Sequence, residues 1–126
     1  MNAIEAYRYA LTVVKGIYVE GEPIIANDAW YSYLYALKVL HGPFSKGEPS
    51  ISNDACYAYM YAKDVIRGPF SLGEPVIAKD SNRACSYAIN VLKRRFPAGE
   101  KAIYQDNING LVYRTSLPDF LWKEKQ

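Results

Sequence analysis

The chain has 126 residues, half of them apolar and 14% aromatic, with 15 basic and 13 acidic side chains and a formal net charge of +2. This apolar content is enough for a folded core, and the length fits a single domain over residues 1–126. Two cysteines are too few for a disulfide scaffold or a four-ligand zinc site, and a charge of +2 is too small to indicate nucleic acid or membrane binding.

Two absences bear on location. No apolar run approaches the length of about 18 residues that a membrane helix needs. The N-terminus carries no basic stretch followed by an apolar one, the pattern of a secretory leader. We therefore expect a cytoplasmic protein, in a host cell if the source is viral, with no membrane partner.

The sequence repeats itself every 26 residues without an insertion. Many independent columns agree, which is the signature of a repeat architecture. The columns are Gly16, Gly42 and Gly68; Gly21, Gly47, Gly73 and Gly99; Glu22, Glu48, Glu74 and Glu100; Ile25, Ile51, Ile77 and Ile103; Asp28, Asp54, Asp80 and Asp106; Tyr9, Tyr35, Tyr61, Tyr87 and Tyr113; and the aromatic column Tyr18, Phe44, Phe70 and Phe96.

Each repeat is predicted to contain one long and one short helix. In the second repeat, Asp28 is a suitable N-cap and an apolar periodic stretch runs to Leu40. Gly42 is expected at the C′ position with a positive φ, ahead of a proline that prevents continuation. Ser45 and Glu48 have the spacing of a capping box and predict the start of the short helix.

These elements predict an all-α fold, a right-handed α-solenoid of about five two-helix repeats, because one such repeat cannot bury its apolar face alone. The units span about 2–27, 28–53, 54–79 and 80–105, with a degenerate unit at 106–126. The tyrosine column is expected to have buried rings and bonded hydroxyls. The apolar tail from Leu117 to Trp122 is expected to cover the last repeat as a cap, with a docking peptide or dimer contact as the alternative.

Parts of the repeat resemble a known sequence pattern. Residues 58–77, AYMYAKDVIRGPFSLGEPVI, and residues 95–103, RFPAGEKAI, resemble the repeat of uncharacterised helical-repeat proteins from phages and environmental viruses, with a consensus close to AYxYAxxVxxGRF/W followed by PExEPxI. This chain has Gly-Pro-Phe where that repeat has Gly-Arg-aromatic. The resemblance covers almost the whole chain and implies a phage source, but no catalytic residues.

The sequence offers no set of residues for a reaction. The single histidine, His41, takes a last-turn position that Lys15, Arg67 and Lys93 take in the other repeats, as expected for charges that complement the helix dipole. The aspartate and glutamate columns are explained by helix capping. Cys56 and Cys85 are not paired, and Cys85 lies in an aromatic column that we expect to be buried. We expect no enzyme, no cofactor and no metal.

Columns that vary between repeats are free to carry specificity. They predict an apolar patch with a charged rim, which is how a protein-binding hot spot is built. Its residues are Trp30, Tyr31, Leu34, Tyr57 and Met60. A partner protein, a homodimer contact and burial beneath the C-terminal tail all remain open as explanations of this patch.

The only basic cluster is Lys93, Arg94 and Arg95. It makes nucleic-acid binding through phosphate contacts an alternative. The main hypothesis is a non-enzymatic protein that binds a host or phage protein, as a phage-encoded inhibitor or adaptor that sterically blocks a host defence factor. A structural homo-oligomer is the third possibility.

Overall fold

In the computed structural model, which describes residues 1–122, the chain folds entirely into helices and their connections. Residues 123–126, which belong to the predicted fifth unit, lie outside the described part. So do the side chains of residues 119 and 120, which belong to the predicted cap. The α-helices in chain order are α1 Ala3–Tyr9, α2 Glu22–Ile25, α3 Ala29–Leu34, α4 Glu48–Ile51, α5 Ala55–Tyr61, α6 Glu74–Ile77, α7 Ser81–Ser86, α8 Pro97–Gln105 and α9 Asn107–Ser116.

The odd-numbered helices from α1 to α9 begin 26 residues apart, and each of them contacts the next one in the series. Short 3-10 turns lead into three of the short helices and another ends the described chain: Val19–Gly21, Ser45–Gly47, Ser71–Gly73 and Asp119–Trp122. Each of the even-numbered helices α2 to α8, the second helix of its unit, packs against the odd-numbered helix before it. Within residues 1–122, no helix is both long and apolar enough to cross a membrane.

The aspartate column caps the long helices as predicted. The carboxylates of Asp28, Asp54 and Asp80 each accept a hydrogen bond from the backbone N–H three residues later, at 2.9–3.0 Å. Asp106 does the same for α9. An N-cap carboxylate satisfies an otherwise unpaired donor and faces the positive end of the helix, so this column fixes where each long helix begins.

The C-terminal half of four long helices is π-helical, which sequence periodicity did not predict. These segments are Ala10–Val14, Tyr35–Leu40, Ala62–Ile66 and Tyr87–Leu92. In the second unit, the N–H groups of His41 and Gly42 both donate to the carbonyl of Ala36. The bonds therefore span five and six residues instead of four.

This wider turn corrects the prediction for Gly42. The left-handed residue is one position earlier, at Lys15, His41, Arg67 and Lys93, with φ between 55° and 59°, and no glycine has a positive φ within residues 1–122. The predicted capping box at Ser45 and Glu48 is also wrong, because neither the 3-10 turn nor α4 has a side-chain cap.

The glutamate column instead joins neighbouring units. The Tyr35 hydroxyl donates to the Glu22 carboxylate at 2.7 Å and accepts from the Tyr18 N–H at 3.0 Å. The same pair of bonds forms at Tyr61, Tyr87 and Tyr113, each with the glutamate 13 residues earlier and the backbone N–H 17 residues earlier. All four of these rings are fully buried, which confirms the prediction for them. We call this arrangement the tyrosine joint.

Burial makes the joint electrostatically distinct. It raises the pKa of Tyr35 to about 12, and the hydrogen bond to Glu22 adds to the effect. Burial likewise raises the pKa of Tyr61, Tyr87 and Tyr113, each with help from its own glutamate. A neutral hydroxyl can serve a carboxylate and an N–H at once, so these tyrosines are held in the protonated form that the joint needs.

Candidate partner-binding face

Trp30 is the centre of the predicted patch. It is 36% exposed, and the centroid of its ring lies 5.6 Å from the ring centroids of both Tyr33 and Tyr57. Trp30 and Tyr33 belong to α3, whereas Tyr57 belongs to α5. An exposed tryptophan braced by two rings from two helices is rigid, and rigid aromatic groups lose little conformational entropy when they bind.

The other four residues of the patch are partly buried. Tyr31, Leu34, Tyr57 and Met60 all pack against the core, so they are not on a face opposite to it. The Tyr31 ring lies 5.6 Å from that of Tyr7. The exposed part of the patch is therefore smaller than the sequence predicts. Trp30 dominates it, and the partly buried side chains support Trp30.

Side chains of the variable columns form hydrogen bonds between neighbouring long helices. The Tyr33 hydroxyl donates to Asp64 at 2.7 Å, and the Asn90 amide donates to the Tyr59 hydroxyl at 2.9 Å. Further along, the Arg83 guanidinium donates to the Cys56 sulfur at 3.5 Å. The Tyr33 pKa is raised, first by burial and then by its bond to Asp64. These columns thus carry contacts between units as well as surface chemistry.

Tyr33 is the residue that sequence analysis missed. It is 4% exposed and it links the patch to Asp64, whereas the sequence showed only one more member of an aromatic column. The spacing of Tyr33 and Asp64, 31 residues, was the available signal. It recurs between Tyr59 and Asn90, and it places one residue on each of two neighbouring long helices.

The basic cluster is divided by its contacts. Arg95 donates two hydrogen bonds of 2.9 Å to the Glu100 carboxylate, which lowers the pKa of Glu100. Its guanidinium also lies 4.8 Å from the centre of the Trp122 ring. Lys93 and Arg94 are exposed. Arg95 is exposed as well, but its charge is already paired with Glu100, so it has less to offer a phosphate than Lys93 and Arg94 have.

The tail covers a different part of the molecule from the patch. Leu117 is buried, and the Trp122 ring lies 5.3 Å from that of Tyr113, nearly perpendicular to it. Arg114 also stacks on Trp122, at 4.2 Å. The tail residues with described side chains thus pack at the C-terminal end, so burial of Trp30 beneath them does not occur.

The remaining candidate groups do not converge on a reactive centre. His41 is exposed and lines two shallow surface grooves of about 370 and 300 Å³. Cys85 is buried as predicted, and burial raises the pKa of its thiol. In the part of the chain that the structure describes, no three His, Cys, Asp or Glu side chains are grouped closely enough to hold a metal.

Comparison of the chain with models of protein families, with characterised proteins and with solved structures gives no match.

Proposed function

We propose that the protein is a non-enzymatic, right-handed α-solenoid of about five units that binds a partner protein through Trp30 and the rings beside it. The observation that carries the proposal is the packing of an exposed tryptophan against the rings of Tyr33 and Tyr57, at 5.6 Å from each. Tryptophan is enriched among residues that dominate binding energy, and such residues lie in packed surroundings that exclude water.

The surroundings of Trp30 favour a protein over a nucleic acid. Partly buried apolar groups, Leu34 and Met60, lie on the same two helices. Charged groups are nearby at the patch edge, where Asp64 binds Tyr33 and Arg83 binds Cys56. An apolar centre with a polar rim is typical of protein interfaces. A phosphate-binding surface needs free cations, and one of the three in the basic cluster is already paired with Glu100.

The partner class follows from the resemblance to phage and environmental-virus repeats. We propose a host protein, with a phage protein as the alternative partner, and an inhibitor or adaptor role against host defence. The mechanism is steric, since a rigid helical surface would cover a site on the target without changing it chemically. This form of the proposal rests on the repeat sequence, whereas the binding role rests on Trp30.

Affinity capture from host lysate, with and without nuclease treatment, tests the proposal with a matched pair of variants. Trp30→Ala removes the centre of the patch. Leu72→Ala removes another exposed apolar side chain, 54% accessible, from a 3-10 turn elsewhere. We expect a stoichiometric protein that wild type and Leu72→Ala retain and that Trp30→Ala loses at least tenfold.

Two results would contradict the proposal. Equal capture by Trp30→Ala and wild type would exclude the patch as the binding site. Capture that requires nucleic acid, falls steeply with salt and is lost in a Lys93→Ala/Arg94→Ala variant would transfer the function to the basic cluster. Circular dichroism of each variant confirms that a loss of binding is not a loss of fold.

A further inference from the structure

The N-terminal end of the molecule exposes residues that the interior buries. Tyr9 is 39% exposed, whereas Tyr35, which has the same place in the next unit, is fully buried. Val13 is 62% exposed, whereas its equivalent Val39 is partly buried against the core. In the interior these positions pack on the preceding unit. The outer surface of the first unit therefore has the same residues that each interior unit uses to pack on the unit before it.

The C-terminal end exposes the other half. Tyr33 and Tyr59 are buried because each contacts the following long helix, through Asp64 and Asn90. Leu111 has the corresponding position on α9 and is 65% exposed. Ile108 beside it is 74% exposed. Among the side chains that the structure describes, the tail packs on Tyr113 and leaves Ile108 and Leu111 exposed, so the predicted cap covers only part of the last repeat.

Trp122 extends the interior pattern to this end. Phe44, Phe70 and Phe96 each lie nine residues after a joint tyrosine and pack on its ring at 4.9–5.1 Å. Trp122 lies nine residues after Tyr113 and packs on it at 5.3 Å. In the interior, the backbone N–H of the aromatic residue at this position donates a hydrogen bond to the tyrosine hydroxyl of the next unit. Trp122 therefore occupies the position from which a further joint would be built.

We propose that copies of this chain associate head to tail, with the Tyr9–Val13 surface of one copy packed on the Ile108–Leu111 surface and Trp122 of another. The occupant is a second copy because the chain already contains the complement of each end. The columns of Tyr9 and Trp122 supply the tyrosines and the N–H donors of the joints inside the molecule, and the column of Leu111 supplies Tyr33 and Tyr59, which bond to the following long helix. The interface is heterologous, so it generates an open chain of copies or, if the rotation closes, a ring.

The contact differs from a homodimer that pairs two copies through the Trp30 patch, because it uses α1 and α9. It shares Trp122 with the dimer contact that the sequence offered as an alternative role for the tail. Trp30 lies on α3, within the stack, and stays available to another partner. Absence of self-association would therefore not argue against partner binding through Trp30, so either proposal can fail while the other holds.

Sedimentation velocity on the chain of residues 1–126 tests the proposal with two single variants. Val13→Lys blocks the N-terminal surface and Leu111→Lys blocks the C-terminal surface. Both side chains are more than 60% exposed, so neither change disturbs the core. Leu72→Lys is the control, because Leu72 is 54% exposed and lies away from both ends.

The predicted outcome has three parts. The mass of wild type and of Leu72→Lys rises with concentration above 14.3 kDa, whereas each end variant stays at that mass. A 1:1 mixture of the two end variants gives a species of twice that mass and nothing larger, because each copy retains one intact surface. Restored pairing in the mixture is the signature of a head-to-tail contact.

Other results would overturn the proposal. A wild type that stays monomeric up to its solubility limit excludes self-association. Loss of association in only one end variant indicates a symmetric contact of one surface with itself. A mixture that stays monomeric, when both single variants also do, excludes the complementary pairing of the two ends.

Discussion

The first and the third units contain the same tyrosine in different surroundings. Tyr61 is fully buried, donates to Glu48 at 2.6 Å and accepts from the Phe44 N–H at 2.9 Å. Tyr9 is 39% exposed, and its contact is a tilted packing on Tyr18 at 5.0 Å. The residue type and the local helix are shared, so the difference comes from the preceding unit, which buries Tyr61 and supplies both of its hydrogen-bond partners.

This comparison shows that the repeat signal marks interfaces between units. In the tyrosine column each interior member meets the preceding unit, and the terminal member Tyr9 keeps the residue without that contact. Stability should therefore reside in the joints, as expected for repeat proteins in which interfaces between neighbours supply much of the folding energy.

The largest difference is expected when the whole ring is removed. Tyr61→Ala should lower the free energy of unfolding by about 3–5 kcal/mol, because it leaves a cavity in the core and two unpaired polar groups. Tyr9→Ala should cost about 1 kcal/mol, because its ring is already partly in water. Chemical denaturation with a circular-dichroism readout measures both. Equal losses would show that the joint adds nothing to the ring's local packing.

Two glycines of the third unit, Gly68 and Gly73, should respond to alanine substitution in opposite directions. A Cβ at Gly73 would lie 2.7 Å from the Phe70 ring and 2.9 Å from the Ala58 Cβ, so Gly73→Ala should cost about 1–3 kcal/mol by overpacking. A Cβ at Gly68 would meet nothing within 4 Å, and its φ is not positive. Gly68→Ala should therefore stabilise the protein by about 0.4–1 kcal/mol. A destabilising Gly68→Ala would contradict this description of the turn.

The joint should also respond to alkaline pH. The folded-state pKa of Tyr35 is raised from 10.0 to about 12, so the joint's contribution is complete below pH 10 and is lost as the pH rises towards 12. We expect the free energy of unfolding to fall across this window. Tyr35→Phe should reduce that slope. An identical slope in wild type and Tyr35→Phe would exclude ionisation of this joint as a cause.

Sequence periodicity predicted the helices and the aspartate caps because these depend on local chemistry. It also predicted the buried tyrosines, since a constant aromatic column on an apolar helix face belongs in a core. The π-helical segments and the left-handed conformation of His41 were not predicted, because they depend on the hydrogen bonds of the last helical turn to the Ala36 carbonyl. The glycine at position 42 instead suggested the common helix ending, in which glycine itself is left-handed.

The glutamate column was misassigned for a related reason. A serine three residues before Glu48 fits a capping box, and nothing in that local pattern indicated that the tyrosine 13 residues later would donate to the Glu48 carboxylate. Trp30 and Tyr57 were placed in one patch, and their rings lie 5.6 Å apart. The partial burial of Tyr31, Leu34 and Met60 was missed because it depends on the separation of neighbouring helices, which a single sequence does not specify.

The most direct test of the joint removes one oxygen atom at two positions. Tyr61→Phe keeps the ring and deletes the hydroxyl that bridges Glu48 and the Phe44 N–H, and Tyr9→Phe deletes the equivalent hydroxyl at the open end. We predict a loss of about 1–3 kcal/mol in the free energy of unfolding for Tyr61→Phe, because two polar groups are left unpaired. We predict a change within about 0.5 kcal/mol for Tyr9→Phe. Equal effects of the two substitutions would contradict the claim that the units are held together by these joints.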